Sequence, residues 1–424
     1  MSAGPLQPSL LPQTASSSDG RLSVGGCDVI EMTQRFGTPL FVYDEQQLID
    51  RCQEAVAVFP HGAAYASKAF LCKAMARIAH EAGMSIDVAT GGEMFVAMAA
   101  GVPPERLVFH GNNKSTSELR MAIDERVGTI VVDSSDEMDR IEALAPTGRM
   151  RPSVLIRLNP GIEAHTHEYL QTGVEDSKFG LPLAEGQAEI AIERARASAA
   201  MEFRGVHVHV GSQVFDVESF SQAVRALAPV VNAADAEEFS IGGGLGVAYV
   251  AGESSGSIAE WGAAVQSVAS DAGITARITA EPGRAIVAQA AVTAYTVGTV
   301  KTVPGIRTYV SVDGGMSDNP RPVLYGSGYE AALARSIDAD RPLGVRIVGK
   351  HCESGDVIVK HASLPADVAV GDVVFTPVTG AYGHSMGSNY NKILRPPVVF
   401  VRDGDARVVV ERETYSDLMV GDVG

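Results

Sequence analysis

At 424 residues, 46% of them hydrophobic and 20% charged, the chain has material for more than one core and predicts two domains. A net charge of -17 argues against nucleic acid or an anionic membrane surface as partner. Four cysteines (Cys27, Cys52, Cys72 and Cys352) without a CxxC pair or zinc-type spacing fit a reducing, cytoplasmic setting. They make disulfides and a metal site unexpected.

Residues 1–20, "MSAGPLQPSLLPQTASSSDG", are rich in Pro and Ser, lack the basic and apolar regions of a signal peptide, and predict a disordered tail. Residues 21–44 read as strand-like and as a partner of the C-terminal β-rich part. From residue 45 to 295 short apolar runs alternate with Ala-rich segments of helical period. The runs are "AAYASK", "SIDVA", "LVFHG", "TIVVDS", "VLIRLN", "GVHVHVG", "FSIGGG" and "ARITAEPG". Eight such runs predict a parallel (β/α)8 barrel. An open doubly wound sheet fits less well, because "GGGLG" comes late and does not match G-x-G-x-x-G. "GNNKST" lacks the glycine that a phosphate-loop lysine needs. Residues 296–424 carry β-rich segments with Gly/Asp turns, predicting a mostly antiparallel second domain. Residues 251–262 carry no readable signal.

Barrel active sites lie at the carboxyl ends of the strands. This chain puts Lys68, Asp87, His110, Asp133, Asn159, His209, the glycines 242–244 and Glu281 there. Asp and Asn are ordinary turn residues; a lysine, a histidine and a glutamate at such ends are less so. Lys68 lies among Ala66, Ala69 and Phe70, where lost hydration would favour the neutral amine that attacks carbonyls. Three successive glycines after the seventh run suit the close approach of a phosphate. Glu281 could keep a pyridine nitrogen protonated. An imine-forming lysine, a phosphate cradle and an acid facing a pyridine together point to pyridoxal phosphate (PLP). His209 could stack on its ring and Ser212 join the phosphate shell, whereas His207, alternating with His209 along the strand, reads as packing.

The ordered set "YASKA", "HVGSQ", "GGGLG", "EPGR", "DGGMSDNPRP", "CESGD", "GAYG" and "SNYN" resembles the fold-type III PLP decarboxylases, most closely their diaminopimelate branch, as does "TGVEDSKFGL" at 172–181. The resemblance runs from about residue 22 to the C-terminus. It implies the alanine racemase-like fold, a PLP-binding barrel joined to a β-barrel or sandwich domain. It also implies a homodimer with shared active sites and decarboxylation of meso-2,6-diaminopimelate to L-lysine. By the resemblance, Lys68 would carry the cofactor and His209 would stack on it. Ser212, Gly243, Gly244, Gly283 and Arg284 would hold the phosphate, and Glu281 would face the pyridine nitrogen. Tyr382 would touch cofactor and substrate. Arg284, Arg321 and Tyr325 would grip the distal carboxylate, and Glu353 the distal amine. Cys352 would donate a proton from the opposite subunit. From residue chemistry alone, Cys352 stays open between proton donor and small buried side chain. Rival readings are a decarboxylase for D-lysine, D-ornithine or arginine, a racemase, which Glu281 disfavours, and a non-catalytic PLP carrier, which residues 296–424 disfavour.

Overall fold

The computed structural model describes residues 3–145, 151–161 and 177–424, so residues 172–176 of the "TGVEDSKFGL" stretch lie outside the described residues. The chain forms two compact units, one of Arg51–Val247 with Ser255–Ala285, the other of Met1–Asp50, Ala248–Ser254 and Ile286–Gly424.

The first unit is a parallel barrel. Its strands are Ala64–Ala66, Ser85–Val88, Leu107–Phe109, Thr129–Val132, Ser153–Asn159, Glu202–His207, Glu238–Ser240 and Arg277–Thr279, hydrogen-bonded in chain order. Ala63 and Ala280 form a parallel bridge, with Ala64 N donating to Ala280 O at 2.9 Å, and this closes the ring. Parallel strands are covered on both faces, which is why they read as continuous apolar runs; Tyr65, Ile86, Val88, Phe109, Ile130, Val132 and Ile156 are fully buried. Several of the surrounding helices start at side-chain caps. Ser115 and Glu118 form a reciprocal capping box, and Thr90 and Ser134 cap the helices Gly91–Ala99 and Ser135–Leu144. A second box, Ser257 with Glu260, opens the helix Ile258–Asp271, so part of the uninterpreted stretch 251–262 is a helix start. Trp261 on that helix packs between Phe59 and Phe220 at 5.5 and 5.3 Å.

The second unit is built on the long strand Ala291–Val303. It pairs antiparallel with Leu40–Asp44, Arg307–Val312 and Val373–Pro377. Leu343–Val348 runs parallel to Arg307–Val312 and antiparallel to Val357–Leu364; Leu40–Asp44 also pairs, in parallel, with Val398–Arg402. Because Ala291–Val303 is one unbroken strand, the barrel unit ends at Ala285 and not at the expected residue 295.

Two N-terminal expectations are corrected. Residues 3–20 are not a loose tail: Leu6 and Leu10 are buried. Ala3 bridges Arg341, and the Thr14 amide and hydroxyl donate to the Asp44 carboxylate at 2.9 and 2.7 Å. A few apolar anchors and one buried acid order a segment whose Pro/Ser content reads as disorder. Within the strand-like stretch 21–44, Val29–Phe36 is a helix. Asp28 caps it, and it ends at Gly37 with φ +74°. Among the described residues no helix is long and apolar enough to cross a membrane.

Candidate active site

The barrel unit gathers a cluster of ionisable groups at the carboxyl ends of its strands. Glu281, just past the eighth strand, is its hub. His207 Nε2 lies 3.0 Å from Glu281 Oε2, Ser240 Oγ donates to Oε1 at 2.8 Å, and His110 Nε2 is 3.4 Å from Oε1. His110 also lies 3.7 Å from Asp87 Oδ1, and its ring meets that of His207 edge to face at 5.0 Å. All four ionisable groups are buried.

The electrostatics follow from that packing. Burial works against the Glu281 carboxylate, but His110 and His207 outweigh it and hold its pKa well below the usual range. Burial likewise opposes charge on His110, yet Asp87 and Glu281 raise its pKa overall. Asp87 is pushed up to about 6, chiefly by burial, with Glu281 adding repulsion and His110 and Lys68 opposing. His207 is pushed down to about 4 by burial, which Glu281 only partly offsets. An anionic acid thus sits where an acceptor for a ring N–H is wanted. The nitrogen and oxygen donors of His110, His207 and Glu281 lie within 4.8 Å of one another, a spacing that could also hold a cation.

His207 is therefore a partner of Glu281, not the packing residue expected. The strand ends at His207, so strict alternation does not carry on to His209. His209 is half-buried, and its Nδ1 accepts from Gly243 N at 3.2 Å. Burial, with the positive charges of Lys68 and Arg157, keeps it neutral, its pKa well below the ordinary value. The three glycines have a reason within the protein itself. A Cβ on Gly242 would come 2.4 Å from Val208 O, on Gly243 2.2 Å from Glu281 O, and on Gly244 2.1 Å from Gly211 O. Neighbouring barrel backbone already excludes side chains there, a cause distinct from the ligand approach the sequence suggests. Gly283 is similarly tight against Ala66. Arg284 Nη2 donates to Ser212 Oγ at 2.9 Å, which brings two of the expected phosphate residues together.

Lys68 lies in the short 3-10 turn Ser67–Ala69 that ends the first strand, and it is exposed. Its own chain does not strip its hydration, contrary to expectation: Ala66, Ser67, Ala69 and Phe70 around it are buried, but the lysine itself stays exposed. Behind the cluster, Arg157 pairs with Asp133 at 3.6 Å and lies over the Phe179 ring at 4.4 Å. The sequence assigns no role to Asp87, His110 or Arg157; Asp87 and His110 stand out only by their positions at strand ends, and Arg157 lies inside the strand Ser153–Asn159.

The second unit holds the other expected residues. Arg321 opens the short helix Arg321–Tyr325 and is buried, whereas Tyr325 is half-buried. Its Nη1 donates to Tyr329 Oη at 2.6 Å and its Nε is buried without a hydrogen-bond partner. No carboxylate pairs with Arg321 among the described residues. Cys352 and Glu353 are exposed, which excludes the buried-hydrophobe reading of the cysteine. Beneath that thiol, His351 Nε2 lies 2.9 Å from Ser317 Oγ, His351 Nδ1 is 3.1 Å from Asn391 Oδ1, and Cys352 N donates to the same Oδ1 at 3.3 Å. The Asp356 carboxylate accepts from His351 N at 2.8 Å and Met316 N at 2.7 Å. Tyr382 is half-buried at φ +60°, a strained conformation for an aromatic residue that clusters at functional sites.

Comparison with known proteins accounts for these features. Residues 45–288 match the pyridoxal-binding domain of the pyridoxal-dependent decarboxylases. A diaminopimelate decarboxylase from Mycobacterium tuberculosis is 44% identical over 98% of both chains. The chain belongs to the diaminopimelate decarboxylase family. A Bacillus subtilis family member is 45% identical over 94% of both chains. The crystal structure of the M. jannaschii diaminopimelate decarboxylase in complex with L-lysine superposes with a TM-score of 0.90 at 32% identity, covering 97% of this chain and 98% of that one. Like other family members the chain is a PLP-dependent carboxy-lyase with the alanine racemase-like fold. The donor set fits that cofactor: an ionised buried acid, an accessible lysine amine, and an arginine and serine beside a glycine turn.

Proposed function

We propose that the chain decarboxylates meso-2,6-diaminopimelate at its D-centre, yielding L-lysine and carbon dioxide as the last step of lysine biosynthesis. The observation that carries the substrate choice is Arg321, a buried guanidinium without a carboxylate partner among the described residues. An unpaired buried cation is costly, and a ligand carboxylate relieves that cost with bidentate geometry. Substrates lacking a second carboxylate have no such group to offer. The names of the relatives point to the same substrate.

When bound, PLP withdraws electrons from the substrate α-carbon so that carbon dioxide can leave. In this reading Lys68 would hold the cofactor and Glu281 would keep a proton on its ring nitrogen. His209 would lie against the ring, while Ser212, Gly243, Gly244, Gly283 and Arg284 would bind the phosphate. Arg284, Arg321 and Tyr325 take the distal carboxylate, Glu353 the distal amine, and Tyr382 borders both ligands. Cys352 delivers the proton that replaces the carboxylate. The enzyme works as a cytoplasmic homodimer, with Cys352 serving the partner's barrel.

Arg321→Gln tests the assignment. It should lower kcat/KM for meso-diaminopimelate on the order of a hundredfold while changing that for D-lysine little. Unchanged preference for the second carboxylate would overturn the substrate reading.

A further inference from the structure

Among the described residues, three other buried cations are paired with acids, Lys114 with Glu137 at 2.7 Å, Arg157 with Asp133 at 3.6 Å and Arg341 with Glu330 at 3.2 Å, while Arg284 bonds the Ser212 hydroxyl. Arg321 is held differently. Its guanidinium carbon lies 4.0 Å from the centroid of the Tyr249 ring and 5.6 Å from that of Tyr329, whose hydroxyl accepts from Nη1. The two tyrosine rings meet edge to face at 5.3 Å, and both residues are buried.

Tyr249 comes from Ala248–Ser254, the stretch after the seventh barrel strand that belongs to the second unit. That stretch is fixed there by several contacts. Tyr249 N donates to Glu253 Oε2 at 2.8 Å, and Ala251 N donates to Glu330 Oε1 at 3.4 Å. Val250 packs so closely on Gly328 that a Cβ there would lie 2.9 Å from Val250 Cγ1. The excursion therefore delivers one aromatic face to one guanidinium.

The distinction from an ion pair matters for binding. A carboxylate partner would cancel the charge of Arg321 and occupy its donors before any substrate arrived. An aromatic face attracts the cation through its quadrupole but carries no net charge and takes up no N–H. The Nε donor stays available, and the planar group is fixed by stacking on one side and by the Tyr329 hydroxyl at one end.

We infer that Tyr249 and Tyr329 clamp Arg321 in a charged, preoriented state for a second substrate carboxylate, which makes Tyr249 a specificity-determining positioning residue. The inference rests on the role proposed above for Arg321, and Arg321→Gln is carried in parallel so that the two can fail separately.

The experiment measures kcat and KM of the PLP-loaded enzyme with meso-diaminopimelate and with D-lysine. Tyr249→Leu should raise KM for meso-diaminopimelate roughly five- to thirtyfold, the span of about 1–2 kcal/mol for a desolvated cation–π contact. Its kcat should stay within about twofold, and its constants for D-lysine should stay near those of the parent. Tyr249→Phe keeps the ring and should restore KM. Tyr329→Phe removes only the hydroxyl and should give a smaller rise in KM for the dicarboxylate alone, which keeps the inference testable if Tyr249→Leu loses its cofactor absorbance. Equal losses on both substrates, or equal damage from Tyr249→Phe and Tyr249→Leu, would overturn the clamp. If Arg321→Gln discriminates the substrates and neither tyrosine variant does, the clamp fails while the role of Arg321 stands. If Arg321→Gln does not discriminate, both fail.

Discussion

Glu281 and the histidines around it show how a single buried carboxylate is kept ionised. The acid is held down by His110 and His207, while His207 itself stays neutral, with its pKa pushed down to about 4 by burial. Unfolded, that imidazole takes up a proton near its ordinary value of about 6.5. Between about 6.5 and about 4 the unfolded chain therefore binds more protons than the folded one at this site, and His207 removes stability as pH falls through that window. His384, also pushed down to about 4 by burial, acts in the same sense, and Asp87, raised to about 6, acts against it. His207→Gln should accordingly flatten the loss of Tm on acidification across this range. An unchanged slope would mean that His207 is not buried neutral. Positions at strand ends were legible here because Lys68, His209 and Glu281 are unusual residues in loop-opening places. The ring of Asp87, His110 and His207 around Glu281 was not, since its members lie on four different strands or strand ends and only closure of the barrel brings them together.

At the scale of elements, the loop after the third strand illustrates what motif reading misses. "GNNKST" fails as a phosphate loop, yet Lys114 is fully buried. It bonds Glu137 at 2.7 Å and the carbonyls of Gly111 and Val131 at 2.8 and 2.6 Å, tying that loop to the fourth strand and the helix after it. Removing one partner of a buried pair strands the other, so Lys114→Met should lower unfolding stability by about 3–5 kcal/mol. Adding Glu137→Leu should recover part of that loss. Additive losses in denaturant unfolding of the two single variants and the double would contradict a coupled pair. Two other elements carried signals in their residues. The helix Val29–Phe36 shows Asp28 and Glu31 at its start, Val29, Met32 and Thr33 on its buried side, and Gly37 at its end. "SIAE" at 257–260 is a capping box in plain sequence. Residues 3–20 had no such signal: their order comes from Asp44 and Arg341, far along the chain.

For the whole molecule, the eight-run rhythm translated directly into a barrel because the parallel strands are largely apolar and polar residues stand at or just past their ends. The second unit is harder to read, since its sheet is assembled from Leu40–Asp44, Ala291–Val303 and strands near the C-terminus. The excursion Ala248–Ser254 has no sequence mark at all beyond its tyrosine. The dimer with shared sites proposed above predicts complementation. Lys68→Ala and Cys352→Ala should each be nearly inactive alone, and mixing them under subunit exchange should restore up to about a quarter of parental activity, as random pairing leaves one intact site in half of the dimers. No recovery from mixtures shown to contain heterodimers would place both residues of a site on one subunit.

The proposed decarboxylation is checked by incubating the PLP-loaded enzyme with meso-diaminopimelate and measuring released carbon dioxide together with the amino acid formed. Equimolar carbon dioxide and L-lysine are expected, dependent on PLP and abolished in Lys68→Ala. No release from meso-diaminopimelate, or faster release from D-lysine or D-ornithine, would contradict that reaction.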